Sequence, residues 1–419
     1  MSAVRKLYLD AYILVLALYV YFNKGIAYSY AAEILLLIGV GILIFNFRKI
    51  ELPLDRKVIL LLTFLLIGVL YIFRGLGKYP LIDLLRDSFM FNYALFVFIL
   101  LYFKEEIPYL LNGIYRIYAW YPLVATMSFL ILSYVPYADE LKVFGNISLL
   151  HYKYGDMGVH LLVTVLFLLN GKIKLAPRYF VANAVLVMYL FLIASSYSRA
   201  GMVCFIASFL LFFYFSKDKI LKTQLIGYMK FVPLVLIIAL PIYLSTSVKE
   251  NFQGRKVGLD QLKENVMSIT GSKAGTTLDD NKVWRLVWWG KIIDYTFGGE
   301  YFFQGKGLGM SLAEDDDITM NEEGDLRSPH NFHLNVLARF GVPIFFVWCY
   351  WLFLNFKIFR KKELSSDSLI FLSIVTVFLL NASFDVFLEG PMGAFPFWTF
   401  LGIFYISEIN YSSKKLGAT

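Results

Sequence analysis

The sequence reads as an all-α polytopic membrane protein, and three observations carry that reading. The 419-residue chain is 59% hydrophobic and 18% aromatic but only 17% charged, with a mean hydropathy of +0.65. A soluble protein of this size has no core large enough to hide so much apolar surface, so its solvent must be lipid. The apolar residues also come in runs long enough to cross a bilayer. Lys and Arg, finally, gather at alternate ends of those runs.

Twelve runs qualify, near 8–23, 30–47, 57–74, 89–103, 117–135, 157–171, 179–197, 200–216, 228–247, 331–355, 367–384 and 393–409. The first follows a short basic start, and no small-residue cleavage site comes after it, so it reads as a retained span. Cys204 and Cys349 both fall inside runs and read as inert core residues rather than a disulfide. An even number of spans puts both termini on one side. With the termini inside, the inner segments hold 21 Lys and Arg against seven in the short outer loops. That asymmetry orients the chain with its termini on the cytoplasmic side.

One connection is long. Residues 248–329 are hydrophilic, lie outside and divide the chain into spans one to nine (1–247), an outer loop, and spans ten to twelve (330–419). The loop carries ten Lys and Arg against fourteen Asp and Glu, in a chain of net charge +8. A structureless loop this long is improbable. Its stretch VWRLVWWGKIIDYTF spaces Trp284, Trp288, Lys291 and Tyr295 by three or four, as an amphipathic helix does, and its tryptophans suggest a helix resting at the lipid–water boundary. The acidic run 314–325 reads as a solvated, mobile loop, since its spacing fits no EF-hand. No nucleotide-binding glycine motif or nucleic-acid signature is present, and the inner loops are too short for a nucleotide-binding domain.

Charges that survive beside lipid are usually functional. Arg199, in SSYSRAGM, joins the seventh and eighth spans at the outer face; alone it reads equally as a snorkelling interfacial arginine. Arg285 lies on the loop helix and would otherwise be an ordinary polar-face charge. His330 and Asn331 open the tenth span, where Ser328 or Asn331 could cap the helix. His333 follows at spacing three, but no third ligand is near, so no metal site is expected.

Together these stretches resemble the O-antigen ligase and polymerase superfamily. WRLVWWGKIIDYTFGGEYFFQGKGLGM followed by SPHNFHLNVLARFG is similar to that family's pattern: a loop arginine (Arg285), a tryptophan (Trp289 or Trp288), a glycine turn (Gly305, Gly307, Gly309), His330–Asn331 at a span's start, and Gly341. SRAG at 198–201 is similar to its serine-arginine-small motif. The chain departs at Arg339, where members often carry an acid. The resemblance implies a membrane glycosyltransferase with a C-type fold, acting at the periplasmic face on a glycan linked through diphosphate to undecaprenol. It implies no cofactor, and it implies the bilayer and a chain-length regulator as partners. Arg199, Arg285 and His330 would be catalytic, with Asn331, Trp289, Gly305, Gly307, Gly309, Arg86 and His333 touching substrate.

Arginine suits a lipid diphosphate leaving group, since its guanidinium makes permanently charged, bidentate contacts to phosphate oxygens. A histidine can take or orient the proton of an attacking sugar hydroxyl. The glycine turn either brings backbone amides to a phosphate or serves as a tight turn. The resemblance favours a polymerase, which joins repeat units still on undecaprenyl diphosphate. The alternative is a ligase, which moves the finished chain onto lipid A–core. A lipid-linked oligosaccharide transporter would instead line its spans with charge. Here the spans are nearly charge-free apart from their ends; Glu33, Asp385 and Arg339 are the exceptions.

The orientation is directly testable. In Asp315→Cys, the new thiol should react with an impermeant maleimide in cells whose inner membrane is intact. Labelling only after that membrane is permeabilised would reverse the assignment.

Overall fold

The computed structural model describes all residues except 23–28, 47, 49–54, 145–146, 151–152, 217–218, 247–256, 270–275, 319–325, 362–363 and 417–419. Among the described residues the chain is helical but for one two-strand ribbon. The first part runs α1 (Ala3–Phe22), α2 (Ala31–Phe45), α3 (Arg56–Gly75), α4 (Leu81–Asn92), α5 (Leu95–Tyr102) and α6 (Ile107–Tyr134). The antiparallel strands β1 (Lys142–Phe144) and β2 (Ile147–Ser148) follow. Then come α7 (Tyr154–Leu169), α8 (Pro177–Tyr197), α9 (Arg199–Phe215), α10 (Lys219–Met229) and α11 (Val232–Ser245). The long connection holds α12 (Leu259–Ile269), α13 (Thr276–Phe297) and the short α14 (Leu312–Asp315). The chain ends with α15 (Phe332–Phe356), α16 (Ser366–Ala382) and α17 (Pro391–Leu416).

Each of the twelve apolar runs coincides with a helix, the fourth as the pair α4–α5, bent by 50°. Five helices among the described residues are long and apolar enough to cross a membrane: α3, α6, α8, α15 and α17, with α4–α5 as a sixth if the pair is one span. The shorter α2, α7, α9, α11 and α16 have 10–17 residues. At 1.5 Å per residue even the longest of these reaches only about 25 Å, against a hydrocarbon core of about 30 Å. The chain fits a multi-pass membrane protein.

A helix apolar on every face belongs in the middle of a bundle. That is where α7 and α16 sit, buried almost throughout and packed on one another. Close approach is also built in where α7 meets α9. A Cβ on Gly158 would lie 3.1 Å from the Gly201 carbonyl oxygen, and one on Gly201 would lie 3.0 Å from Gly155 Cα. Small residues let helices touch backbone to backbone. This contact sets the distance between Lys153, just before α7, and Arg199, the first residue of α9.

The tenth run is not one straight helix. Gly341 breaks α15 with φ 77° and ψ −179°, and Pro343 has no N–H to donate. The break strips two carbonyls of their helical partners, and the glycine turn supplies replacements. Lys306 N–H donates to Ala338 O at 2.8 Å and Gly307 N–H to Arg339 O at 2.9 Å, while Val342 N–H turns to Phe302 O at 2.7 Å. Tyr71 on α3 bonds Gln304 O at 2.9 Å and Arg74 bonds it at 3.2 Å. Leaving such carbonyls unpaired would cost about 1–3 kcal/mol each.

The loop helix forms as expected but faces the other way. Trp288 and Ile292 are fully buried, and Trp284 and Tyr295 pack beside them against Leu312, Ala313, Leu337, Ala338 and Val342. Trp288 donates to Asp316 Oδ2 at 2.6 Å. The tryptophans therefore face protein rather than the lipid boundary; the exposed stripe is Val283, Leu286, Val287, Ile293 and Phe297. A helix with apolar residues on two faces carries no sequence signal saying which is inward. The acidic run also needs correction in its first part. Lys306 bridges Asp315 and Asp316, and Lys291 bonds Asp316 O at 2.9 Å. The rest of that run, 319–325, lies outside the described residues.

The glycine turn should respond unevenly to substitution. At Gly305 (φ 56°) a Cβ would lie 2.3 Å from the Arg339 carbonyl carbon, whereas at Gly307 (φ 90°) it would meet nothing. Gly307→Ala should cost only the left-handed strain, about 1–2 kcal/mol, and Gly305→Ala clearly more. Melting temperatures of the two variants in detergent check the order.

Candidate active site

Candidate side chains converge at one end of the bundle, at the tips of its most buried helices. Asp385 follows α16 in the turn to α17, and its Oδ1 forms an ion pair with Lys153 Nζ. The same oxygen accepts the Val386 N–H at 2.7 Å and lies 3.9 Å from His330 Nδ1. Burial pushes the Asp385 carboxyl up, but Lys153 and His330 outweigh it and hold it below the usual carboxylate range. Burial likewise works against the Lys153 charge, yet Asp385 and then Asp156 keep its pKa above the ordinary lysine value. This pair is a fixed dipole beside the imidazole.

Two arginines come in from different elements. Arg199 starts α9, where Ser198 caps the helix by accepting the Gly201 N–H at 3.0 Å. Its guanidinium donates to Ser268 on α12. That helix is fastened to the end of α8 by Asn265, which donates to Ser195 O and Ser196 O at 2.7 and 2.8 Å. Arg285, on the inward part of α13, donates to Phe384 O at 3.2 Å and lies 5.4 Å from the Trp284 ring centroid. Burial lowers its pKa, Asp385 opposes that, and the like charge of Arg199 lowers it further. The Arg285 Nε is buried without a partner. The two guanidinium groups thus lie within electrostatic reach of each other, a setting that commonly marks functional sites.

His330 is held from both sides in a strained backbone, with φ 51°. Such a conformation costs a non-glycine residue about 1–3 kcal/mol. Trp289 Nε1 donates to Pro329 O at 2.8 Å, and Asn331 caps α15 by accepting the Leu334 N–H at 3.1 Å. The His330 ring meets Trp284 edge-on at 5.7 Å. Trp289 and Asn331 thus spend their polar atoms on shaping this segment. His333, one turn on, accepts from Trp348 Nε1 at 3.1 Å, which turns it into the bundle and away from Asp385.

A second ionic cluster lies alongside. Arg339, only 2% exposed, pairs with Asp87 on α4 at 2.9 Å. It also bonds Asn335 Oδ1 at 2.9 Å, Gly307 O at 3.2 Å and Met310 O at 3.3 Å. Asp87 accepts the Gly309 N–H at 2.8 Å. The amides at Lys306, Gly307 and Gly309 are thereby committed within the protein, and the Gly305 N–H to Tyr301 O at 3.0 Å. Arg86 is half exposed and bonds Asp83. Arg327 is not the loose charge that its acidic surroundings suggest: it donates to Gly309 O at 3.3 Å and lies 3.6 Å from Asp87.

Sequence reading missed Lys153, Asp87 and Glu389 as site residues and noted Asp385 only as a stray charge. The usable signal was two carboxylates four residues apart in the apolar stretch 383–390. Asp385 and Glu389 flank the 328–331 segment in unlike states. Burial, with Asp87 and Asp385 nearby, pushes Glu389 up to about 7, against the opposing effects of Ser328 and Arg339.

Residues 184–349 match the family model described as O-antigen ligase. The interval starts within α8, ends within α15, and contains Arg199, Arg285, the glycine turn and His330. No curated protein matches the chain. The family match indicates an O-antigen ligase- or polymerase-type activity, carried out by membrane glycosyltransferase-like enzymes.

If the Lys153–Asp385 pair works as one unit, Lys153→Met and Asp385→Asn should each lower glycan transfer on the order of tenfold or more. The double variant should be no worse than the poorer single. Transfer assays on purified protein check this, and additive losses would separate the two roles.

Proposed function

We propose that this chain is a polysaccharide polymerase of the O-antigen type. It transfers an undecaprenyl-diphosphate-linked glycan onto a sugar of another lipid-linked repeat unit, at the periplasmic face of the bacterial inner membrane. Twelve spans, with residues 248–329 outside, form the scaffold of this reading. The observation that carries it is the convergence of Arg199 and Arg285 beside the His330–Asp385 couple, with Arg285 Nε buried and unpartnered. A ligase would use the same donor chemistry, and the choice of polymerase rests on resemblance.

The arginines suit the diphosphate, whose negative charge grows as its bond to the anomeric carbon breaks. A preorganised charge at that point stabilises the transition state more than the ground state. His330 presents Nδ1 to Asp385, and in this reading the imidazole is the group that takes the acceptor's proton. The acceptor hydroxyl oxygen bonds the anomeric carbon, its proton passes to His330, and the electron pair of the broken bond leaves on the diphosphate. The Asp385 anion, held by Lys153, orients the ring and stabilises its protonated form, as the aspartate does in a catalytic triad. A loose 3.9 Å contact is common where no substrate is bound.

Arg199→Ala and Arg285→Ala should each abolish or severely reduce transfer, since removing a charged contact to a buried phosphate costs about 2–5 kcal/mol. Lysine should rescue only partly, lacking the planar fork. His330→Ala should lower transfer by roughly 10²–10⁴-fold and leave single repeat units on the carrier, whereas His333→Ala stays active. Arg178→Ala is the tolerant control, and EDTA should have no effect. Each outcome is read from polymer ladders and from transfer with purified protein; a fully active Arg285→Ala would remove that residue from the site.

A further inference from the structure

Glu389 is an ionisable group beside the site that has no task in this mechanism. It ends the turn that carries Asp385, so the two carboxylates reach the 328–331 segment from one loop. Asp385 is occupied by Lys153, the Val386 N–H and His330. Glu389 accepts from Ser328 with one oxygen, while its Oε1 is buried with no hydrogen-bond partner. A buried acceptor left empty is costly, and native proteins rarely keep one without a use. The charged and titratable groups facing it are Arg339 on α15, Asp87 on α4 and Asp385 on its own loop. Two of these three are carboxylates, a setting that repels a diphosphate but accommodates a neutral donor such as a sugar hydroxyl. Carboxylates in unlike environments commonly divide the work of a site.

We infer that Glu389 is an acceptor-binding residue, whose Oε1 receives a hydroxyl of the incoming glycan. The inference rests on the glycosyl-transfer reading above. It divides the site in two: the arginines hold the donor's diphosphate, and Glu389 holds the sugar that attacks. Only the ionised carboxylate makes the strong, charge-assisted form of this bond, so acceptor affinity should fall as the pH drops through the titration of Glu389.

The test uses the full chain in lipid nanodiscs with two half-competent probes. The donor is an undecaprenyl-diphosphate-linked repeat unit with methylated hydroxyls, which cannot accept. The acceptor is the same unit with a methylene group in place of its anomeric oxygen, which cannot donate. Glu389→Gln should raise the acceptor KM at least about tenfold and leave the donor KM unchanged. In the wild type the acceptor KM should rise between about pH 8 and 6, and in Glu389→Gln it should be flat. Ser328→Ala separates this role from a structural one: an equal rise in acceptor KM there would mean that Glu389 acts only through Ser328, overturning the inference. An unchanged acceptor KM in Glu389→Gln, or a wild-type acceptor KM independent of pH, with His330→Ala inactive, would overturn it while sparing the reading of the function. Equal activity in His330→Ala and the wild type would sink both.

Discussion

A helix interrupted inside an apolar bundle must have its freed carbonyls answered by another segment, because no water is there to do it. The interruption of α15 at Gly341 is that constraint here, and the segment 302–307 answers it. Much of the site follows from this exchange. The turn must enter the bundle to reach Ala338 and Arg339, and it brings Lys306 with it. Lys306 fastens Asp315 and Asp316, and Asp316 in turn holds Trp288 of α13. With Trp288 fixed, Arg285 one turn earlier is delivered to the α16–α17 loop. Glycines that could have cradled a phosphate are, in this chain, part of the scaffold.

Charge is then distributed by burial and pairing. Around His330, the anion Asp385 is balanced by Lys153, and the two arginines remain as the less compensated charge. Around Gly309, Asp87 is met by Arg339, Arg327 and a backbone amide. In the first arrangement cations outnumber the carboxylate; in the second the carboxylate is enclosed by its partners. Glu389 faces carboxylates of both clusters, and burial holds it nearer to neutrality than Asp385.

The sequence was legible where structure is local. Apolar runs announced the helices because hydrocarbon solvent requires long apolar segments. Arg199, Arg285 and His330 were singled out through a motif that keeps their neighbours in order, and the match over 184–349 contains all three. Lys153 was not: its partner Asp385 lies 232 residues away, and nothing local distinguishes it from any loop lysine. The buried face of α13 was equally hidden, since Val283, Leu286 and Val287 are as apolar as Trp284 and Trp288. Arg339 stood out as an oddity, but only the fold shows that Asp87 answers it across α4.

The ion pairs also bear on how separable the parts of this protein are. The matched interval 184–349 contains Arg285 and Arg339, while Phe384, Asp385, Lys153 and Asp87 all lie beyond its ends. Its boundaries are therefore not boundaries of mechanism. Grafted into a related scaffold, the interval would arrive with a buried guanidinium lacking its carboxylate and a histidine lacking its neighbouring acid. Exchange of specificity between such proteins must carry α4, the start of α7 and the 383–390 turn together with the motif. The smallest transferable unit is a three-dimensional ring of contacts rather than a stretch of chain.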